Sequence, residues 1–153
     1  MPEPLRIAIL GAESTGKTQL AQQLAAELGA ITGLACTWVP EHLRAWCDAQ
    51  GRTPRVDEQT DIALQQQTLI NAAAQKHAVV VCDTTPLMTA VYSAHIFNDN
   101  RLLAAALAQQ RGYAITLLTA LDVVWQADGL QRDGPLTRQP VDNLLRTLLS
   151  QHS

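Results

Sequence analysis

Two hydrophobic rhythms divide the chain. Leu5–Leu10, Leu34–Val39, Ala78–Asp83 and Tyr113–Thr119 are short, nearly continuous apolar runs. That pattern predicts strands, and for Ala78–Asp83 a strand buried on both faces of a sheet. The run Val79-Val80-Val81-Cys82 is the clearest of them, because β-branched side chains favour extended backbone. Between the runs lie helical patterns: Gln19–Leu28, Glu41–Gln50, Asp57–Lys76, Thr89–Ile96, Arg101–Gln110 and Asn143–Leu149. In the longest of them, Ile62, Leu64, Leu69 and Ile70 are set among Gln and Ala. Gly51–Arg55 and Gln126–Pro140 are polar, with glycine and proline, and read as loops, the second one mobile. Strands alternating with helices require crossover connections. They predict an α/β fold: a three-layer, doubly wound parallel sheet in a single domain over residues 1–153.

Composition narrows the class. The chain has 153 residues, 47% of them hydrophobic and 16% charged, enough to bury a core and too apolar for a disordered chain. A net charge of −3 provides no basic field, so neither nucleic acid nor an anionic membrane surface is an expected partner. No apolar run approaches the roughly 20 residues that span a bilayer, and MPEPLR lacks the features of a secretory signal. Cys36, Cys47 and Cys82 are far apart and form no C-x-x-C pair; His42, His77, His95 and His152 have no metal-ligand spacing. A reducing cytoplasm is the expected compartment.

Chemistry enters at Gly11–Thr18, which reads GAESTGKT. This is the phosphate loop G-x-x-x-x-G-K-[ST], placed between a strand pattern and a helix pattern, the context the motif needs. Gly11 and Gly16 let the backbone turn tightly around an anion. The backbone through Glu13, Ser14 and Thr15, together with the helix N-terminus, points N–H groups at phosphate oxygens. Lys17 supplies a charge to the β- and γ-phosphates, and Thr18 a hydroxyl to Mg²⁺. ATP and Mg²⁺ are the cofactors this predicts. A phosphate-loop domain usually has a fifth strand after the last helix. None follows here, so a sheet lacking its last strand is a further expectation.

Other residues gather around that loop. Asp83 ends the strand Val79–Cys82, the Walker B position that holds Mg²⁺. Glu41 follows the second strand, and sites in parallel sheets collect at the carboxyl ends of strands. It is placed either as a general base for a substrate hydroxyl or as a carboxylate at a helix N-terminus. Arg44 lies three residues on, on the same helix face, where it can pair with Glu41 or hold substrate. Gln66 can bond a substrate or belong to a solvated face with Gln65 and Gln67. The loop containing Asp128, Gly129, Arg132, Gly134 and Arg138 combines glycines with arginines, as a closing lid for phosphoryl transfer does; it reads equally as a solvated loop. Trp125, just before it, is a stacking candidate for a planar base, as are Trp38 and Trp46, which also suit a core. Tyr92 and Phe97 suit core or rim.

With these residues in order, the chain resembles the ribosylnicotinamide kinase domain of the NadR family, a group of phosphate-loop, AAA-type kinases. The resemblance runs through ILGAESTGKTQLAQQLA, VPEHLRAW, DIALQQQTLINAAA, VVVCDTTPLMTAVYS and WQADGLQRDG. It implies ATP as phosphate donor and nicotinamide riboside as acceptor, giving nicotinamide mononucleotide. Lys17, Thr18 and Asp83 match the family's ATP and Mg²⁺ positions. Glu41, Arg44 and Trp125 match positions around the riboside, while Gln66 and Asp128 match its long helix and lid entry. Glu41 or Asp83 would take the acceptor proton, with Arg132 and Arg138 stabilising charge. The chain departs from the family at Thr85, where an Asp is usual, at Gln131, where the lid arginine is usual, and at His42, where an aromatic is usual. A nucleotide-dependent switch without a metabolite acceptor, and a kinase of another nucleoside, are the rival expectations.

Overall fold

The computed structural model describes residues 3–12, 16–121 and 137–152. Four strands form one sheet: β1 (Leu5–Leu10), β2 (Cys36–Val39), β3 (Val79–Asp83) and β4 (Ile115–Leu118). Their order is β2-β3-β1-β4, and every pairing is parallel. The helices are α1 (Lys17–Thr32), α2 (His42–Gln50), α3 (Gln59–Lys76), α4 (Pro86–Phe97), α5 (Leu103–Gln110) and α6 (Arg138–His152). None among the described residues is long and apolar enough to cross a membrane.

Side-chain alternation along the strands divides the core into layers. Ile7, Ile9, Val79 and Val81 pack against Ala21 and Ala25 of α1, whose small side chains four apart let the helix lie close to the sheet. Ala8 and Leu10 face the opposite way, toward Leu87, Met88 and Val91 of α4 and Val141 and Leu145 of α6. Val80 and Cys82 meet Ile70 and Ala74 of α3. Around β1 and β3 the sheet is therefore covered on both faces, and β3 is buried at all its residues, as its apolar run predicts. β2 and β4 are the edges of the described sheet, and Ile115 and Leu117 of β4 stay exposed.

Several element boundaries differ from those the pattern predicts, each for a local reason. β2 and β4 are shorter than their apolar runs. Residues 56–58 form a 3₁₀ turn ahead of α3. α4 begins at Pro86 rather than Thr89, because proline at the first helical position loses no bond and Thr85 caps the helix by accepting from the Leu87 N–H. α6 begins at Arg138 rather than Asn143. Arg138, Gln139 and Pro140 are thus the first turn of a helix and not loop, since proline is tolerated where N–H groups have no intrahelical partner.

Candidate functional site

The carboxyl ends of β1, β2 and β3 open into one region. β1 runs into Gly11 and Ala12, and the chain re-emerges at Gly16, the residue before α1. Gly16 has φ +82, a left-handed conformation that a β-carbon would strain. α1 starts at the next residue, so Lys17 and the helix N-terminus face the loop together. Lys17 is buried, and its ammonium donates to the Ala12 carbonyl at 3.2 Å. Glu13, Ser14 and Thr15 lie outside the described residues.

Thr18 and Asp83, distant in sequence, meet here. The Thr18 hydroxyl donates to Asp83 Oδ2 at 2.6 Å. Register explains the meeting. Asp83 pairs with Ile9 across β1–β3, and the next N–H, of Thr84, donates to the Ile9 carbonyl at 3.0 Å. Strand end and loop are thereby held level. Burial pushes the Asp83 carboxyl above the ordinary range, and the Thr18 hydrogen bond opposes that shift. The negative charge of Glu41 adds to it, while Lys17 and Arg44 work against it. Glu41, Lys17 and Arg44 are all close enough to act on Asp83.

The second oxygen, Asp83 Oδ1, is buried and has no hydrogen-bond partner among the described residues. A buried carboxylate oxygen without a donor, beside a threonine hydroxyl, is a donor set for a hard cation. No group of three or more His, Cys, Asp or Glu among the described residues forms a metal cage. Few protein ligands suit Mg²⁺, which keeps waters and shares phosphate oxygens. The residues present fit that ion.

A shallow cleft, open to solvent, lies next to this pair, with Lys17 and Thr84, their chain neighbours, in its lining. Gly11, Lys17 and Glu41 line it together with Gln66, Thr84 and Thr89. Its apolar part is Leu43, Ile62, Met88 and Tyr92. Glu41 is the residue before α2, in extended backbone, and its side chain makes no capping bond to its own helix. Gln66 is almost fully buried, at 1% exposure. Its carbonyl oxygen accepts from the His42 N–H at 2.7 Å, and its amide donates to the Pro40 carbonyl at 3.3 Å. Both bonds go to the backbone on either side of Glu41.

The structure thus brings together Gly11, Lys17, Glu41 and Gln66 around the cleft, with Thr18 and Asp83 at its edge. Arg44 is exposed on α2. Arg138 is buried at the start of α6. Trp125, Asp128, Gln131 and Arg132 lie outside the described residues. Trp38 packs against the α1-side core, and Trp46 lies under the Arg52 guanidinium, 5.1 Å from its ring centre. Arg52 in turn makes a two-pronged bond to Glu58 at 2.7 and 2.8 Å, tying α2 to the turn before α3.

Sequence reasoning missed Leu43, Ile62, Thr84, Met88 and Thr89. The signal was helical spacing: Ile62 with Gln66 on α3, and Met88 with Tyr92 on α4, each four apart and so on one face. Thr84 had a conformational mark instead. Its φ of 81 is left-handed, unusual for a β-branched residue and typical of functional strand ends. Thr85, the departure from the expected Asp, caps α4 and donates to Gln110 Oε1 at 2.7 Å; the Gln110 amide continues to the Thr116 hydroxyl at 2.8 Å.

A buried lysine at a helix N-terminus and a carboxylate at the carboxyl end of an inner parallel strand are shared by many nucleotide-binding proteins. Here the family profile described as AAA domain matches residues 6–153. The chain belongs to the AAA-domain family. This AAA domain has the parallel α/β fold of a kinase-like phosphate-loop protein, and nucleotide binding follows from its family. It is similar in structure to a NadR protein solved in complex with NR, at a TM-score of 0.78 and 17% identity. The likeness covers 97% of this chain and 43% of that one, so the chain spans less than half the length of that protein. At that identity, the likeness shows the fold. No curated protein sequence matches the chain.

Proposed function

We propose that this AAA domain is an ATP-dependent small-molecule kinase of the cytoplasm. Its acceptor is a nucleoside-like hydroxyl compound, with nicotinamide riboside as first candidate and nicotinamide mononucleotide as product. The observation that carries this reading is one cleft lined by both Lys17 and Glu41, with the Thr18–Asp83 pair beside it. A phosphate-binding lysine and a carboxylate free of its own helix, facing a shared space, are what transfer from a bound nucleotide to a bound hydroxyl requires. The sequence resemblance to ribosylnicotinamide kinases, and the fold shared with a NadR protein in complex with NR, support the same substrate class.

In this reading Gly11, Glu13, Ser14, Thr15, Gly16 and Lys17 hold the ATP phosphates. Thr18 and Asp83 would hold Mg²⁺, which would neutralise phosphate charge there. Leu43, Ile62, Met88 and Tyr92 form an apolar bed for a flat ring, and Glu41 faces the hydroxyl. Glu41 accepts the hydroxyl proton as the new O–P bond forms at the γ-phosphorus and ADP leaves. Lys17, Arg132 and Arg138 stabilise the charge on the transferring group, while Arg44, Trp125 and Asp128 complete the acceptor site. The strongest sequence argument for an acceptor-independent ATPase was Thr85, and that side chain caps α4 and bonds Gln110.

Mass spectrometry of products from ATP, Mg²⁺ and a nucleoside panel tests the proposal. Riboside-dependent release of ADP with a phosphorylated riboside is the expected result. ATP hydrolysis indifferent to every acceptor would overturn it.

A further inference from the structure

Helix α2 is tied at its first residue by a side chain from another helix. A carboxylate just before a helix is drawn toward the N–H groups of the first turn by the helix dipole. Glu41 stands there in extended backbone, φ −69 and ψ 116, yet its side chain makes no capping bond to them. The first N–H of the helix, of His42, is taken by Gln66 of α3, twenty-four positions along the chain. Gln66 also bonds the Pro40 carbonyl, so its amide brackets Glu41 from both sides.

We infer that Gln66 is a positioning residue: bonded to the backbone on both sides of Glu41, it fixes the start of α2 and thereby keeps the Glu41 carboxylate turned to the cleft. The inference rests on the kinase reading for its catalytic consequence, though the tie itself does not. The chemistry needs such a device. A general base must not be engaged by stronger local donors, and the helix N-terminus beside Glu41 presents the strongest ones available. A neutral amide is suited to the task, because it can accept from His42 and donate to Pro40 without adding charge beside Glu41. Burial makes the arrangement rigid. At 1% exposure the Gln66 amide depends on these two bonds, and losing them would leave it unpaired. Ile62, one turn earlier on α3, is also buried and lines the cleft, so the Gln66 side chain sits on an anchored face.

Two measurements test the tie, one free of catalysis. Gln66→Met keeps length and volume but removes both bonds. By NMR hydrogen exchange, the His42 amide should exchange about ten- to hundredfold faster in that variant. Protection should appear at the Leu43 or Arg44 amide as Glu41 folds onto its helix. Gln66→Glu, which keeps an acceptor for His42 and serves if the methionine variant folds poorly, should retain His42 protection. Unchanged His42 exchange in Gln66→Met, or equal loss in both variants, would overturn the tie. In turnover with the riboside, Gln66→Met should lower kcat by about ten- to hundredfold with the KM for ATP unchanged. Placed on Glu41→Gln, it should lower kcat no further. Additive losses would overturn the positioning role. Wild-type protein with no acceptor-dependent turnover would defeat the kinase reading instead, while the exchange data still decide the tie.

Discussion

The side of the cleft that carries Lys17 and the side that carries Glu41, the proposed acceptor side, are held in different ways. On the first, Lys17 and Thr18 open α1, the helix that follows β1, and Asp83 ends β3, the strand paired with β1. Their positions follow from sheet register and one glycine turn. On the second, Glu41 sits at the end of β2, and its surroundings come from α2, α3 and α4 through side-chain bonds and packing. The first region is set by backbone geometry. The second is a set of side chains that can change while the backbone stays, which suits acceptor choice.

Substitutions on each side should therefore separate. Lys17→Ala is expected to have the largest effect. It should lower riboside phosphorylation and any background ATP hydrolysis alike, by about 10³-fold or more, the scale of a charged group on a transferring phosphoryl. Assays of both activities check it, and normal transfer by the variant would break the comparison. Glu41→Gln should lower acceptor-dependent kcat by about 10²–10⁴-fold while ATP affinity, measured by calorimetry, is unchanged.

Asp83→Asn joins catalysis to stability. Turnover should fall by about 10²-fold and require more Mg²⁺. Stability should move the other way. Burial raises the Asp83 carboxyl in the folded state, so the folded state binds its proton more tightly than the unfolded one. That favours folding at low pH, and the benefit is lost as pH rises from the ordinary carboxylate range through the raised value. At neutral pH without nucleotide, Asp83→Asn should thus melt higher than wild type. The difference should disappear in acid, as thermal scans against pH would reveal.

Thr85→Val should have the smallest catalytic effect. It removes the α4 cap and the bond to Gln110, costing about 1–3 kcal/mol of stability by denaturant titration. Riboside kinetics should stay within about twofold of wild type, because the side chain is committed to α4 and α5. A large loss of kcat would put Thr85 on the acceptor side after all.

Local patterns carried the Lys17 side. Gly11–Thr18 is contiguous, and Asp83 ends a run so apolar that its strand was plain. The strands, their parallel pairing and the covering helices were equally legible, because a run buried on both faces admits few other arrangements. The start of α6 was less so: glycines and a proline nearby suggested loop, whereas a proline in a first turn breaks nothing. Thr85 was legible only as a missing carboxylate; its cap and its bond to Gln110 join elements that the sequence does not align.

The sequence by itself determined the parallel sheet, the Gly11–Thr18 motif between a strand and a helix, and the carboxylate at the end of β3. These depend on neighbours in the chain and on burial patterns that repeat along it. Only the tertiary structure decided that Thr18 bonds Asp83, that Gln66 brackets Glu41, and that Met88 and Tyr92 share a wall with Ile62 and Leu43. Each of those joins residues far apart in the chain. Their meeting is set by how α3 and α4 pack on the sheet, a geometry fixed by the summed shape of many side chains and by no single motif.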